Sequence, residues 1–143
     1  MTMNHSDAIR QLVDASSDAV RTKDVDALMS NFAPDVLSFD VVGPLQYTGL
    51  DDARKRAEAW FGSFVGPIGY QVRDLNIVTG DDVAFCHSLN QVSATKTDGE
   101  ILEMWWRATV CFRRVGGRWM ITHQHNSVPF DGESGKASID LQP

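Results

Sequence analysis

Residues 83–128, VAFCHSLNQVSATKTDGEILEMWWRATVCFRRVGGRWMITHQHNSV, decide the fold. Three strand-like runs, 83–95, 101–114 and 118–128, are rich in β-branched and aromatic residues. Asp98-Gly99 and Gly116-Gly117 separate them with strong turn signals. A further run, 70–78, precedes them across Gly80-Asp81. Long strands joined by tight turns predict an antiparallel meander.

Upstream the period changes. Ile9, Leu12, Val13, Ser16 and Val20 share one helical face within 6–21, with Ser6 as the expected N-cap. Asp24 is expected to cap a second short helix carrying Val25, Leu28, Met29 and Phe32, ended by Pro34-Asp35. Residues 36–42 read as a strand broken by Gly43-Pro44. A third helix is predicted over 51–64, with Ala53, Ala57, Trp60, Phe61 and Phe64 inward. Helices followed by a meander predict an α+β fold, with the helices covering one sheet face. Residues 1–130 read as one domain, and 131–143 as a polar, loosely ordered C-terminal tail.

The 143 residues include 13 basic and 19 acidic ones, a net charge of −6. That balance disfavours nucleic acid and anionic membrane surfaces as partners. The start, Met-Thr-Met-Asn-His-Ser, lacks the basic and apolar pattern of a signal peptide, and no apolar stretch is long enough to span a bilayer. Cys86 and Cys111 sit inside apolar runs, as two buried thiols of a cytoplasmic protein would.

Two-residue turns centred on Asp98-Gly99 and Gly116-Gly117 set an expected register. Cys86 then faces Cys111, Ser88 faces Thr109, and Asn90 faces Arg107. Arg107 in turn faces Asn126, and Thr109 faces Gln124. Paired residues share a face. One face therefore collects Ser88, Asn90, Trp105, Arg107, Thr109, Thr122, Gln124 and Asn126. The other collects Phe85, His87, Leu89, Trp106, Ala108, Val110, Phe112, Ile121, His123 and His125. A one-residue slip in either turn would exchange faces.

The stretches Lys23-Asp24-Val25-Asp26-Ala27-Leu28-Met29, Phe32-Ala33-Pro34-Asp35-Val36, Asp40, Tyr47-Thr48-Gly49, Trp105-Trp106-Arg107-Ala108-Thr109 and Gly117-Arg118-Trp119-Met120-Ile121-Thr122-His123 carry a family likeness. Over residues 7 to 130 the chain resembles the nuclear-transport-factor-2-like (NTF2-like) superfamily, in its SnoaL-like and ketosteroid-isomerase-like branch. The resemblance implies a conical α+β barrel with a deep pocket between helices and inner sheet face. It also implies a homodimer joined through the outer face. Function stays open within it, because the superfamily holds isomerases, cyclases, dehydratases and non-catalytic domains. By the resemblance Asp40 stands where ketosteroid isomerases carry their proton-shuttling aspartate. Ser16 and Thr109 stand where their oxyanion donors would be, so the two-donor oxyanion hole is missing in its usual form.

The expected chemistry is proton transfer on a small hydrophobic carbonyl compound. Asp40 is the candidate base, with an ordinary loop-capping aspartate as the competing reading. Arg107 is the candidate oxyanion partner, with a structural ion pair as its competitor. Thr109, Asn90, Gln124, Asn126 and Ser16 are candidate polar contacts, and Trp105, Trp60 and Phe61 candidate apolar walls. No organic cofactor is implied, since enolisation needs only a base and an oxyanion partner. His87, His123 and His125 read as outer-face residues at a dimer contact, in preference to a three-histidine metal site. The same pocket in a non-catalytic binding or assembly domain is the alternative from another class.

Overall fold

The computed structural model describes residues 3–143. Met1 and Thr2, which begin the start read as carrying no leader, lie outside the described residues. Helix α1 (His5–Arg21) is capped by Asn4, whose side chain accepts from the Asp7 amide, and not by Ser6. Asp24 caps α2 (Val25–Met29) as expected, accepting from the Ala27 amide. Strand β1 (Phe32–Phe39) begins before Pro34 and runs through it. A short β2 (Tyr47–Thr48) leads into α3 (Gly49–Gly62). Four long strands follow: β3 (Phe64–Thr79), β4 (Val83–Lys96), β5 (Ile101–Val115) and β6 (Arg118–Ser127).

These strands form one sheet in the order β2-β1-β6-β5-β4-β3. The sheet curls without closing, and β2 and β3 are its edges. Strand β1 runs parallel to β6, and the meander is antiparallel throughout. Helix α1 packs on β3 and α3 on β1, so the helices cover the concave face. Ile9, Val36, Ile68, Val92 and Phe112 are almost wholly buried between these layers. Among the described residues no helix is long and apolar enough to cross a membrane.

The expected register is corrected at two points. Lys96 and Glu100 close the β4–β5 turn through a 2.7 Å backbone bond, leaving three loop residues, 97–99. Gly99 lies at φ 90°, the left-handed position that such a turn requires. The turn therefore has three residues, not two. Cys86 faces Val110, Ser88 faces Ala108 and Asn90 faces Trp106. The β5–β6 turn has two residues as expected, Gly116 and Gly117, both at positive φ. Beyond it the register shifts between Cys111 and Phe112, where Thr122 is the extra residue of a bulge. The first correction turns β5 over. The second turns the rest of β6 back, so β5 and the start of β6, through Ile121, change face, and Ile121 lines the cavity.

The tail departs from the loose order expected of it. Phe130 bridges Ala137, and the Asp131 side chain accepts from the Glu133 amide and the Ser134 hydroxyl.

Where β3 leaves its first bulge, Gly69 lies against Ser93 of β4. A Cβ there would stand 2.5 Å from the Ser93 carbonyl oxygen. Gly69→Ala is expected to destabilise the fold by about 1–3 kcal/mol in urea unfolding. Gly62→Ala, where an added Cβ meets nothing within 4 Å, is expected to stay within about 0.5 kcal/mol of the parent.

Candidate functional site

A cavity of about 390 Å³ opens between the helices and the concave sheet face. Its size falls within the range of about 300–1,000 Å³ typical of small-molecule sites. Most of its wall is apolar: Leu12 and Val13 from α1, Leu28 and Met29 from α2, and Leu102, Met104, Val110 and Phe112 from β5. Four aromatic rings form one flank. Trp106 packs on Trp60 at 6.5 Å and on Tyr70 at 5.8 Å, and Trp60 meets Phe64 edge-on at 5.7 Å.

Polar groups enter at two places. On one flank Asp40 follows the end of β1. Its carboxylate accepts from Arg56 Nε at 2.9 Å and from the Val41 amide at 2.8 Å. Both side chains of the pair are about a quarter exposed or less. Buried Ser38 accepts a 3.3 Å bond from Gln124, and Asn126 follows on the same face of β6. On the other flank Ser88 Oγ donates to Asn90 Oδ1 at 2.7 Å, and Asn90 Nδ2 donates to Tyr70 Oη at 2.8 Å. Burial pushes the Tyr70 hydroxyl up from 10.0 to about 12, against the opposing influence of Asn90 and the positive charge of Arg21. Ala108, one strand in from both Ser88 and Asn126, leaves a low floor between the two flanks.

The cavity gathers Asp40, Asn90, Gln124, Asn126, Trp60 and Ser16 from the expected set. Ser16 is partly engaged already, accepting from Asn31 Nδ2 at 3.0 Å. Trp105, Arg107 and Thr109 fall on the opposite sheet face, because the three-residue turn reverses β5. Arg107 is exposed there and donates to Ser127 Oγ at 3.1 Å. Phe61 is buried in the core on the same face of α3 as the cavity-lining Ala53 and Ala57, but does not itself line the cavity. Thr109, the position that the resemblance matched to an oxyanion donor, faces out, and Ala108 and Val110 on either side of it line the cavity.

Arg56, Trp106 and Tyr70 are among the cavity residues outside the expected set. Arg56 precedes Trp60 by four on α3, and that spacing puts both on one helical face. Trp106 was assigned outside by the register. Tyr70 stood at the margin of a strand that proves six residues longer at its start. His123 and His125 lie on the outer face, edge-on to Phe39 at 4.8 and 5.4 Å, and His123 Nδ1 bonds the Leu37 carbonyl oxygen at 2.7 Å. Among the described residues no group of three His, Cys, Asp or Glu side chains is placed to hold a metal ion.

Comparison with known proteins identifies the family and the fold. The SnoaL-like domain model matches residues 9–131. An NTF2-like protein of unknown function from Pseudomonas putida KT2440 is 34% identical, covering 99% of this chain and 100% of that one, with a TM-score of 0.87. The chain belongs to the SnoaL-like family of the NTF2-like superfamily. More distant structures share the fold. A ketosteroid isomerase-like protein from Erwinia carotovora atroseptica SCRI1043 is 18% identical over 87% of this chain and 97% of that one, at a TM-score of 0.74. A protein with a cystatin-like fold from Caulobacter vibrioides is 20% identical over 90% and 92%, at 0.75. No curated protein sequence matches the chain.

The buried hydroxyl of Tyr70 makes stability sensitive to alkali. A phenol with a raised folded-state pKa adds nothing below pH 10, where both states hold the proton. Stability is then lost between pH 10 and about 12, as the unfolded chain ionises first. Absorbance titration near 295 nm should show one tyrosine ionising near pH 12, and Tyr70→Phe should remove that step and flatten the alkaline loss of stability.

Proposed function

We propose that this chain is an enzyme acting on a small, hydrophobic carbonyl compound by proton transfer, in isomerase- or cyclase-type chemistry. The observation that carries the reading is the Asp40–Arg56 pair, held at 2.9 Å in the wall of a largely apolar cavity. Arg56 and the Val41 amide fix the carboxylate's orientation, and the remaining lone pairs can accept a proton from bound substrate. Once Asp40 has taken that proton, its charge is gone and the guanidinium stands without a counter-charge. A nearby enolate oxygen gains that positive charge as it forms. Arg56 thus takes the role that the sequence suggested for Arg107. Gln124 and Asn126 supply amide groups beside the pair, and Trp60 and Trp106 hold the apolar body. None of these steps needs an organic cofactor.

The outer sheet face supports a second copy of the chain as partner. Phe85 and Val78 are 44% and 45% exposed there, on the same face as Leu89, Trp105, Phe39 and the His123–His125 pair. Apolar residues of that size on one sheet face suit an interface. Sedimentation should give twice the chain mass, and Phe85→Glu should shift it to one chain.

Asp40→Asn keeps the shape of the side chain and removes the base. Turnover of a carbonyl substrate should fall by about 10²–10⁴-fold while affinity changes little. Full turnover in that variant would exclude Asp40 as the base. Loss of affinity with no turnover in the parent would favour a binding domain.

A further inference from the structure

We propose that Tyr70 is the hydrogen-bond donor that fixes an oxygen of the bound molecule, a ketone, ether or phenol, at the flank of the cavity remote from Asp40. The inference rests on reading the cavity as a ligand site, and adds to it a handle that selects oxygen-bearing compounds.

Ser88, Asn90 and Tyr70 form a chain of two bonds, 2.7 and 2.8 Å long, with the amide in the middle. Asn90 is 93% buried by its 7% exposure, so the chain is set by its neighbours more than by water. An amide in such a chain gives one hydrogen and accepts one. One terminal hydroxyl therefore spends its proton inside the chain, and the other keeps its own. Here Ser88 donates to Asn90 Oδ1, so Ser88 spends its proton and Tyr70 keeps its proton. Tyr70 already accepts from Asn90, and no acceptor for its own O–H occurs among the described residues. Tyr70 is part of the cavity wall.

The setting adds selectivity. Tyr70 sits at the end of the aromatic flank, against Trp106 at 5.8 Å. A flat ring lying on Trp106 and Trp60 would present an edge oxygen to the hydroxyl. Arg21, whose Nε bonds the Tyr70 carbonyl oxygen at 3.0 Å, anchors this part of β3 to α1. Asp40 follows β1, with β6, β5 and β4 between it and β3 in the sheet. Tyr70 and Asp40 thus enter the cavity from opposite edges of the sheet. The substrate class is a flat ring compound with an edge oxygen.

The test uses 1-tetralone and tetralin, a ketone and its parent hydrocarbon, in equilibrium dialysis against the full chain. In Tyr70→Phe the preference for ketone over hydrocarbon should fall about five- to tenfold, with tetralin affinity unchanged. In the parent protein the carbonyl stretch of bound 1-tetralone should lie below its value in an apolar solvent, and Tyr70→Phe should restore it. An unshifted carbonyl in the parent overturns the proposal without recourse to any variant. So does an unchanged preference in Tyr70→Phe, or a loss that follows Ser88→Ala alone, which would put the free proton on Ser88. If neither compound binds the parent, the ligand-site reading itself fails, a result distinct from the loss of Tyr70's role.

Discussion

A β-strand shows its side chains to its two faces in turn, so the length of each hairpin turn decides which half of the next strand meets the cavity. In this sheet the turn at 97–99 holds three residues, with Gly99 at positive φ. That one residue beyond a two-residue loop brings Trp106, Ala108 and Val110 inward and sends Trp105, Arg107 and Thr109 out. The Thr122 bulge then restores β6, so that Gln124 and Asn126 face the cavity while His123 and His125 face away. The polarity of the interior follows from these two features. With a two-residue turn an arginine would stand in the cavity where Trp106 and Ala108 now stand.

The charges of the site come from elsewhere. Asp40 enters from the end of β1 and Arg56 from α3, so the pair ties the helix layer to the far flank of the sheet. Such a partly buried pair is a weak source of stability, because desolvation offsets most of the attraction. Its value is positional: it holds one carboxylate in an apolar wall at a fixed angle. The Ser88–Asn90–Tyr70 chain does the same for a hydroxyl on the opposite flank. Both flanks look across the small residue Ala108.

How much of this was legible follows from which interactions are local. The helical stripe of α1, the Asp24 cap, the meander and the position of Asp40 all follow from residue types at short spacing, and each agrees with the structure. Pro34 was misread as a helix stop when it sits within β1, near the sheet edge, where a missing N–H is tolerated. Arg56 was legible in principle from its four-residue spacing to Trp60. Arg107 was not excludable, because nothing along β5 distinguishes its faces: Trp105-Trp106-Arg107-Ala108-Thr109 offers a large residue to both.

By itself the sequence determined the class of fold and the acidic side chain at the end of the first strand, since these rest on periodicity and turn chemistry within a few residues, while the family likeness rests on the resemblance of particular stretches. Only the tertiary structure decided which side chains share the cavity. Turn length and the bulge each move a strand by one residue, and one residue reverses a strand's faces. The partnership of Asp40 with Arg56, and of Tyr70 with Asn90, joins residues 16 and 20 positions apart through the packing of different elements. The first contact is made by α3 lying over the curled sheet, and the second by the β3–β4 register, which an irregularity between Arg73 and Asn76 shifts by one residue; no spacing along the chain encodes either.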